Sequence, residues 1–385
     1  MFIRGTITKE YYTFFRNRLT SLLRRAKKLY YYRVFLKEIK NTTKLWSRVN
    51  MVLGNRTNVP MECLKVDGNM IRGLQMVDYA NNYFVSAASN LLMNLPHNDP
   101  YQIIFEPNPS TFIFLPTDFN EVVTVIRSLK NKGSGLNDIS VVSLKINALT
   151  FAVHIVFLYN LSIDKVTFPN HMKIACVAPG HKSGSRDSVD NYRPISNLPI
   201  LSKIFEKLTL KRLTSFVNRF QLLCDEQYGF RQCWSITQAC IRLTSFITKA
   251  YHLKVYSACF FLDLRKAFDT IDHPILFVKL YNYGFRGPIH TYLKSYLSNR
   301  KQYVMVGDNR SNELDITKGV PQGSLIGPLL FLLYINDIVK AVDPEVEVVL
   351  FADDAAFFVA AASLELLYGK LRLLFDNLSN LPQSK

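Results

Sequence analysis

Two adjacent carboxylates, Asp353 and Asp354, interrupt a strand-like stretch that runs from Val346 to Ala362. Aspartate is depleted in strands, and burying an ionised carboxylate is costly unless something pairs with it. A plain hairpin turn prefers Gly or Asn, and this stretch contains neither. The pattern therefore predicts that the two acids lie at a hairpin turn, bind a cation, or do both.

A third carboxylate, Asp263, lies near the end of the apolar run Ala258–Leu264. Ligands and catalytic groups gather at such strand ends. Three carboxylates on two neighbouring strands suit hard divalent ions, above all Mg²⁺. Two ions about 3.5–4 Å apart serve polymerases and nucleases by activating a hydroxyl and stabilising the leaving group. The alternative to metal binding is that an aspartate caps the N-terminus of a helix, a role that we assign to Asp269 or Asp272 rather than to Asp263.

A loop with two glycines and a proline, Gly319–Ser324, surrounds Gln322. Such a rigid loop allows close approach and can place its backbone and amide against a nucleotide. Taken alone, the segment is equally consistent with a simple turn. We expect it to follow a hairpin of residues 302–306 and 313–317 and to precede a buried helix over Leu329–Ile335.

The elements that carry these residues follow a strongly basic first segment. The chain has 47 Lys and Arg against 30 Asp and Glu, and residues 1–50 hold 13 of the basic and two of the acidic ones. Between Thr6 and Leu53 there is no Gly or Pro, which predicts one or two long basic helices. Their aromatic residues either stack on bases or pack in a core, and core packing is favoured. A polyanionic partner is expected, and a solvated helix face is the alternative.

Five prolines between Pro96 and Pro116 indicate a connector. An amphipathic helix over Asp118–Leu129 and a Gly-rich turn at 132–135 are predicted after it. The sequence contains no G-x-x-x-x-G-K-[ST], which argues against a P-loop ATPase. A further helix is predicted over Lys266–Leu280, after the strand that carries Asp263.

Composition excludes several classes of protein. With 48% hydrophobic and 20% charged residues, the chain is not of the disordered kind. Its longest apolar run is far shorter than the roughly 20 residues of a membrane span, so no membrane association is expected. No secretory signal follows Met1, which predicts an intracellular protein. The basic segment 24–28 favours the nucleus over the cytoplasm.

Five short segments stand in a fixed order along the chain: Asn191–Ile195, Gln227–Arg231, Phe261–Asp269, Gly319–Ser324 and Phe351–Asp354. In that order they resemble the reverse transcriptase of a non-LTR (LINE-like) retrotransposon of the Jockey/CR1 kind. The resemblance implies an α+β fold, the fingers and palm of a right-hand polymerase, with an antiparallel palm sheet and packed helices. It assigns residues 1–95 to a basic helical extension, 96–116 to a Pro-rich connector and 117–385 to fingers and palm.

The same resemblance implies an activity and its partners. The implied reaction is RNA-directed DNA polymerisation, in which deoxynucleoside triphosphates are added to a DNA primer 3′-hydroxyl on an RNA template. The implied cofactors are two Mg²⁺ ions, with Mn²⁺ as a substitute. The rival interpretation is a catalytically inactive remnant that still binds nucleic acid.

Roles for individual residues also follow from the resemblance. Asp263, Asp353 and Asp354 are the implied metal ligands. Phe268 would lie under the sugar of the nucleotide, where its ring excludes a 2′-hydroxyl. The remaining nucleotide contacts would come from Lys182 and Arg193, which clamp the triphosphate, and from Gln322 with Gly323. The alternatives are a surface ion pair for Arg193, loop stabilisation for Gln322 and core packing for Phe268.

The chain departs from the family pattern at several positions. Gly180 stands where a larger apolar residue is usual, Asn137 where Asp is usual and Ile236 where Thr is usual. Lys385 follows closely on a helix predicted over 364–374. We therefore expect the thumb to be absent, and a partner chain or missing segment to supply the thumb and an endonuclease.

Overall fold

A computed structural model describes residues 8–38, 41–53, 60–92, 107–130, 139–264 and 266–379. The chain divides into two compact units, Met1–Pro60 and Met61–Lys385. Helices combine with largely antiparallel sheets in the described part, which confirms the α+β class. No helix among the described residues combines the length and apolar character that crossing a membrane requires. The predicted turn at 132–135 and the predicted boundary at 95/96 lie outside the described residues.

The first unit consists of two helices, α1 (Lys9–Glu38) and α2 (Thr42–Val52). Asn41 caps α2, because its side chain accepts a hydrogen bond from the Lys44 backbone N–H at 3.1 Å. These helices confirm the prediction of one or two long basic helices in this segment. Within this unit no residue of α1 is buried. Packing of its aromatic side chains on the second unit stays a prediction.

The second unit has a small hairpin and five helices that precede or flank its larger sheet. Positive φ angles at Asp67 and Gly68 match the two-residue turn that suits the twist of such a hairpin. Asp118 caps the predicted amphipathic helix by accepting from the Glu121 N–H at 2.9 Å. The elements are β1 (Leu64–Val66), β2 (Asn69–Ile71), α3 (Gly73–Leu92), α4 (Phe119–Arg127), α5 (Val141–Ile146), α6 (Ala148–Asp164) and α7 (Ile200–Arg219).

The larger sheet has five strands, β3 (Ile174–His181), β4 (Tyr192–Asn197), β6 (Arg300–Val306), β7 (Asn309–Arg310) and β8 (Leu314–Ile316). Its order is β4-β3-β6-β7, and β8 also pairs with β6. Strands β3 and β6 are parallel and the other pairs are antiparallel. Helix α3 packs on this sheet, where Val77 shares a buried cluster with Val177 and Val304. The predicted hairpin before the Gln322 loop is confirmed.

The smaller sheet has three antiparallel strands in the order β5-β10-β9. The strands are β5 (Tyr256–Asp263), β9 (Glu347–Phe351) and β10 (Asp354–Ala361). Successive residues of β10 bury on opposite faces, since Phe357 joins the main core and Phe358 joins a smaller cluster with Ala239. Ala239 belongs to α8 (Ile236–His252), and α12 (Leu364–Ser379) packs on β10.

The main core is built around α9 (His273–Asn282), α10 (Pro288–Leu297) and α11 (Gly327–Ile335). Helix α11 is almost wholly buried, which confirms the predicted buried helix. The prediction of a helix from Lys266 was wrong at its start, because residues 266–270 form turns and α9 begins at His273. Asp272 caps α9 by accepting from the Ile275 N–H at 3.3 Å, and Pro274 occupies the first turn.

Candidate active site

Asp263 and Asp354 lie directly opposite each other in the antiparallel register of β5 and β10. Opposed residues of such a pair project their side chains from the same face of the sheet. Ala352 and Asp353 form the two-residue turn that joins β9 to β10, directly before Asp354, which confirms the predicted hairpin turn. The structure therefore brings all three predicted acids to one corner of the smaller sheet.

The turn carries a residue in an unfavourable backbone conformation. Ala352 has φ of 57°, in the left-handed region that costs a non-glycine residue about 1–2 kcal/mol. Gln227 holds this turn: its Oε1 accepts hydrogen bonds from the N–H groups of Ala352 at 3.0 Å and Gly229 at 2.8 Å. A Cβ at Gly229 would collide with the Ala352 backbone. The Gln227–Arg231 segment thus supports the acid-bearing turn, a role that the sequence did not reveal.

The charges of Asp353 and Asp263 act on Asp354. The pKa of Asp354 is raised, first by burial and then by the negative charges of Asp353 and Asp263. Carboxylate oxygens are the donors that hard divalent cations prefer, so the chemistry of this set fits Mg²⁺. Within the described ranges, however, no group of three or more His, Cys, Asp or Glu side chains gathers closely enough to hold a metal ion. The three acids lie at one corner of the sheet, and the charges of two of them act on Asp354, but they do not form a closed set of metal ligands.

Phe268 lies in the turn that follows β5. Its ring stacks on Phe331 of α11 with centroids 4.9 Å apart, and it meets Phe230 edge-on at 6.0 Å. The ring is half-buried against the main core. Core packing and a position beside a nucleotide sugar are compatible, because one face of the ring has packing partners and the residue keeps partial exposure.

The Gln322 loop docks on two other segments through its backbone. Val320 N–H donates to the Phe268 carbonyl at 2.8 Å, and Ser196 N–H donates to the Gln322 carbonyl at 2.7 Å. Gly323 has φ of 124°, and a Cβ there would collide with the Ser196 carbonyl oxygen. Glycine is therefore required at this position both for its conformation and for the close approach to β4.

Of the two residues predicted as a helix N-cap, Asp272 has that role, and Asp269 instead contacts the Gln322 side chain. Gln322 Nε2 lies 3.1 Å from Oδ1 and 3.0 Å from Oδ2 of Asp269. Burial raises the pKa of Asp269 to about 6, against the opposing effects of this hydrogen bond and of Lys266. A cavity of about 40 Å³ beside the pair is lined by Ser196 and Lys318 among others.

The two predicted phosphate-clamping cations lie on the β3–β4 hairpin. Arg193 is opposite Gly180 in the register, and the Lys182 N–H donates to the Asn191 carbonyl at 2.8 Å. Both side chains are exposed, and neither forms an ion pair with another described residue. The surface ion pair considered for Arg193 is thus not seen. Gly180 leaves space for Ile195, whose Cδ1 lies 2.6 Å from where a Cβ would be.

A cluster centred on Tyr83 of α3 ties together segments that sequence reasoning kept apart. The Tyr83 hydroxyl donates to Asp190, next to the Arg193 segment. The ammonium of Lys266, in the turn after β5, lies 3.2 Å from the same hydroxyl and 4.4 Å from the ring centroid. Nothing in the local pattern of any of these residues signals the contact, because they are distant in the chain.

Comparisons with known proteins agree with this arrangement. The family model described as reverse transcriptase (RNA-dependent DNA polymerase) matches residues 181–381. The chain is similar to the "Probable RNA-directed DNA polymerase from transposon BS" of Drosophila melanogaster, with 35% identity over 58% of this chain and 25% of that protein. It is also similar to the "RNA-directed DNA polymerase from mobile element jockey" of Drosophila funebris, with 28% identity over 71% of this chain and 30% of the relative.

A third relative matches over more of the chain. The "Putative 115 kDa protein in type-1 retrotransposable element R1DM" of Drosophila melanogaster is 26% identical over 84% of this chain and 30% of its own length. The chain therefore spans about a quarter to a third of the length of these curated relatives.

Proposed function

The chain belongs to the reverse transcriptase (RNA-dependent DNA polymerase) family, and from this membership we propose that it acts as the RNA-directed DNA polymerase of a non-LTR retrotransposon. The reaction would join a deoxynucleoside triphosphate to a DNA primer 3′-hydroxyl on an RNA template. The observation that carries the proposal is the register of Asp263 and Asp354, with Asp353 in the adjoining turn.

We assign the three acids to the metal site. Asp263, Asp353 and Asp354 would hold two Mg²⁺ ions, for which Mn²⁺ can substitute. Divalent ions bound there supply activation of the primer hydroxyl and stabilisation of the leaving pyrophosphate. The chain's own contribution is to hold three like charges at one corner, where the raised pKa of Asp354 favours a compensating cation.

We assign the smaller sheet with its flanking helices to the palm, and the β3–β4 hairpin with the helices before it to the fingers. In the proposed organisation, residues 1–95 form a basic extension, 96–116 a connector and 117–385 the fingers and palm. Exposed basic side chains on α1 are suited to the phosphates of a nucleic acid.

The nucleotide would lie between the β3–β4 hairpin and the Gln322 loop. Arg193 and Lys182 are exposed, and neither forms an ion pair with another described residue. Their cationic side chains are therefore suited to bind a triphosphate. Phe268 would lie under the sugar and exclude a 2′-hydroxyl. Gln322 and Gly323, whose loop is hydrogen-bonded to Ser196 of β4, would form the opposite wall.

One observation favours a second candidate, a remnant that binds nucleic acid without copying it. The acids do not form a closed group of three ligands among the described residues. In such a remnant, basic helices and hairpin would still hold a duplex. We favour the polymerase, because all three acids are present and the Gln227 contacts keep their turn in place.

Extension of a DNA primer on a heteropolymeric RNA template tests the proposal. Each of the four deoxynucleotides is supplied singly with Mg²⁺ or Mn²⁺. Incorporation of only the nucleotide complementary to the next template base is the expected result. Absence of incorporation, with binding of the RNA/DNA hybrid retained, would instead identify the remnant.

A further inference from the structure

The side-chain amide of Gln322 is oriented by a carboxylate to which the proposed reaction gives no role. Gln322 Nε2 lies within hydrogen-bond distance of both oxygens of Asp269. An ionised carboxylate only accepts hydrogen bonds, so the amide nitrogen must face Asp269 and the amide oxygen must face away from it. In the described part of the chain, no donor lies within hydrogen-bond distance of Gln322 Oε1.

Little other freedom remains in this part of the loop. Two hydrogen bonds fix the backbone of the loop. The Val320 N–H donates to the Phe268 carbonyl, and the Gln322 carbonyl accepts from the Ser196 N–H. Gly319 lies so close to the Asp269 backbone that a Cβ there would be 2.6 Å from the Asp269 carbonyl oxygen. The main orientation left open is that of the Gln322 amide, and Asp269 determines it.

The pair also lies where a nucleotide is expected. Asp269 directly follows Phe268, and it lines the same cavity as Gln322 and Pro194. Pro194 is the neighbour of Arg193, the proposed triphosphate ligand. An amide held at this wall therefore presents one chemical group, a hydrogen-bond acceptor, toward the nucleotide side.

We infer that Asp269 is a positioning residue of the nucleotide site, which holds the Gln322 amide so that Oε1 accepts a hydrogen bond from an N–H or O–H donor of the bound deoxynucleotide. This inference rests on the proposed function. Asp269 itself need not touch the nucleotide, because it acts through Gln322.

Protonation of Asp269 should reverse the orientation of the Gln322 amide. A protonated carboxyl donates a hydrogen bond and can turn the amide, so that nitrogen replaces oxygen at the wall. Because the pKa of Asp269 is about 6, nucleotide binding should weaken as the pH falls through that value. Among the described residues, the charged or titratable groups around this turn include Lys266, Lys318, Asp272 and His273. Burial lowers the pKa of His273.

Asp269→Asn in the full 385-residue chain tests the inference. Asparagine has nearly the same shape, but it offers the Gln322 amide both a donor and an acceptor. We expect KM for the correct deoxynucleotide to rise about tenfold with kcat little changed, the effect of roughly one hydrogen bond. We also expect the loss of affinity below about pH 6 to disappear in this variant.

A double-mutant cycle shows whether Asp269 acts through Gln322. Gln322→Ala alone should raise KM, and adding Asp269→Asn to it should change KM no further. Additive losses, or an Asp269→Asn enzyme with wild-type KM and pH profile, would overturn the inference and leave the proposed function standing. A wild-type chain that neither extends primers nor binds deoxynucleotides would overturn both. Should Asp269→Asn fail to fold, a wild-type KM that is constant between about pH 5 and 7 overturns the inference.

Discussion

Asp263 and Asp354 face each other across the register of β5 and β10, so two carboxylates from distant parts of the chain meet at one strand end. Like charges placed directly opposite each other destabilise a sheet. Asp353, in the adjoining turn, adds a third negative charge to the same corner. A bound cation would remove this repulsion, which is why the pair is the basis of the proposed reaction.

The acid corner predicts how stability responds to a divalent cation. Mg²⁺ in excess over chelator should raise the thermal midpoint of the wild-type chain, because the ion compensates three like charges. In Asp354→Asn one of these charges is gone, so the increase should be smaller. Differential scanning fluorimetry measures both midpoints, and equal increases in the two chains would contradict the assignment.

The direction of the Asp354 pKa shift predicts how stability depends on pH when a chelator removes divalent ions. Because the pKa of Asp354 is raised in the folded chain, the folded state binds this proton more tightly than the unfolded state. The metal-free stability that this group contributes is therefore present at low pH and lost as the pH rises through the raised value. At neutral pH, Asp354→Asn should be at least as stable as the wild type. A less stable variant would contradict this electrostatic account.

Phe268 predicts the sugar selectivity of the reaction. Replacing the ring by valine removes the bulk that would exclude a 2′-hydroxyl, so selectivity against ribonucleotides should fall by about ten- to two-hundredfold. The ratio of kcat/KM for a deoxynucleotide and its ribonucleotide measures this selectivity. Phe268→Tyr keeps the ring and should keep the ratio. Unchanged selectivity in Phe268→Val, with the fold intact, would remove Phe268 from the nucleotide site.

The basic first unit predicts a salt-dependent grip on nucleic acid. Affinity for an RNA/DNA hybrid should fall steeply between low and physiological salt, because each neutralised phosphate releases a counterion. Replacing Arg24, Arg25, Lys27 and Lys28 of α1 by alanine should flatten the plot of log Kd against log salt, and alanine preserves the helix. Fluorescence anisotropy gives the slopes. A flat response in the wild type would exclude a basic nucleic-acid surface.

The buried ion pair of Lys279 and Asp337 predicts a large loss of stability when it is broken. Lys279 is fully buried, with Nζ 2.6 Å from Asp337 Oδ1 and 2.5 Å from the Tyr334 carbonyl oxygen. Asp337→Asn leaves a buried ammonium without its counter-charge and should cost about 3 kcal/mol of unfolding free energy. The exposed pair Lys301–Asp315 provides a matched control, because Asp315→Asn should cost roughly 0–1 kcal/mol.

The stability contributed by the buried pair Lys279–Asp337 depends on pH. Burial lowers the pKa of Lys279 to about 8, so the unfolded chain binds this proton more tightly. The stability contributed by this lysine therefore rises with pH between about 8 and its ordinary pKa near 10.5. Urea unfolding of the wild type and of Asp337→Asn over that pH range measures the cost of the substitution and the rise of stability with pH. Similar costs for Asp337→Asn and Asp315→Asn would contradict the account of the buried pair.

The sequence predicted those parts of the fold that depend on local pattern. Apolar runs located β5, the β9–β10 hairpin and the buried α11, because strand and helix burial leave a readable periodicity. The same runs located Asp263, Asp353 and Asp354, since a carboxylate inside an apolar stretch is conspicuous. The predicted start of α9 was too early, because the turns at 266–270 contain residues that also suit a helix.

Contacts between distant segments left no such pattern. Asp269 resembles a helix N-cap in its local sequence, and only the fold shows that its carboxylate holds Gln322. Gln227 belongs to a segment that the sequence singled out, yet its hydrogen bond to the Ala352 N–H depends on the pairing of two remote segments. The proposed boundaries at residues 95 and 116 stay a prediction, although residues from Met61 onward already share the core of the second unit.

The central claim, that the corner of Asp263, Asp353 and Asp354 carries out templated synthesis, is tested most directly by primer extension. The substrate is oligo(dT) annealed to oligo(rA), with Mg²⁺ or Mn²⁺, and the wild type is compared with Asp353→Asn. Asp308→Asn, the same substitution in an exposed turn between β6 and β7, is the control. Extension by the wild type and the control, lost in Asp353→Asn, is the predicted result. Extension that survives in Asp353→Asn, or that is absent from the wild type while hybrid binding persists, would contradict it.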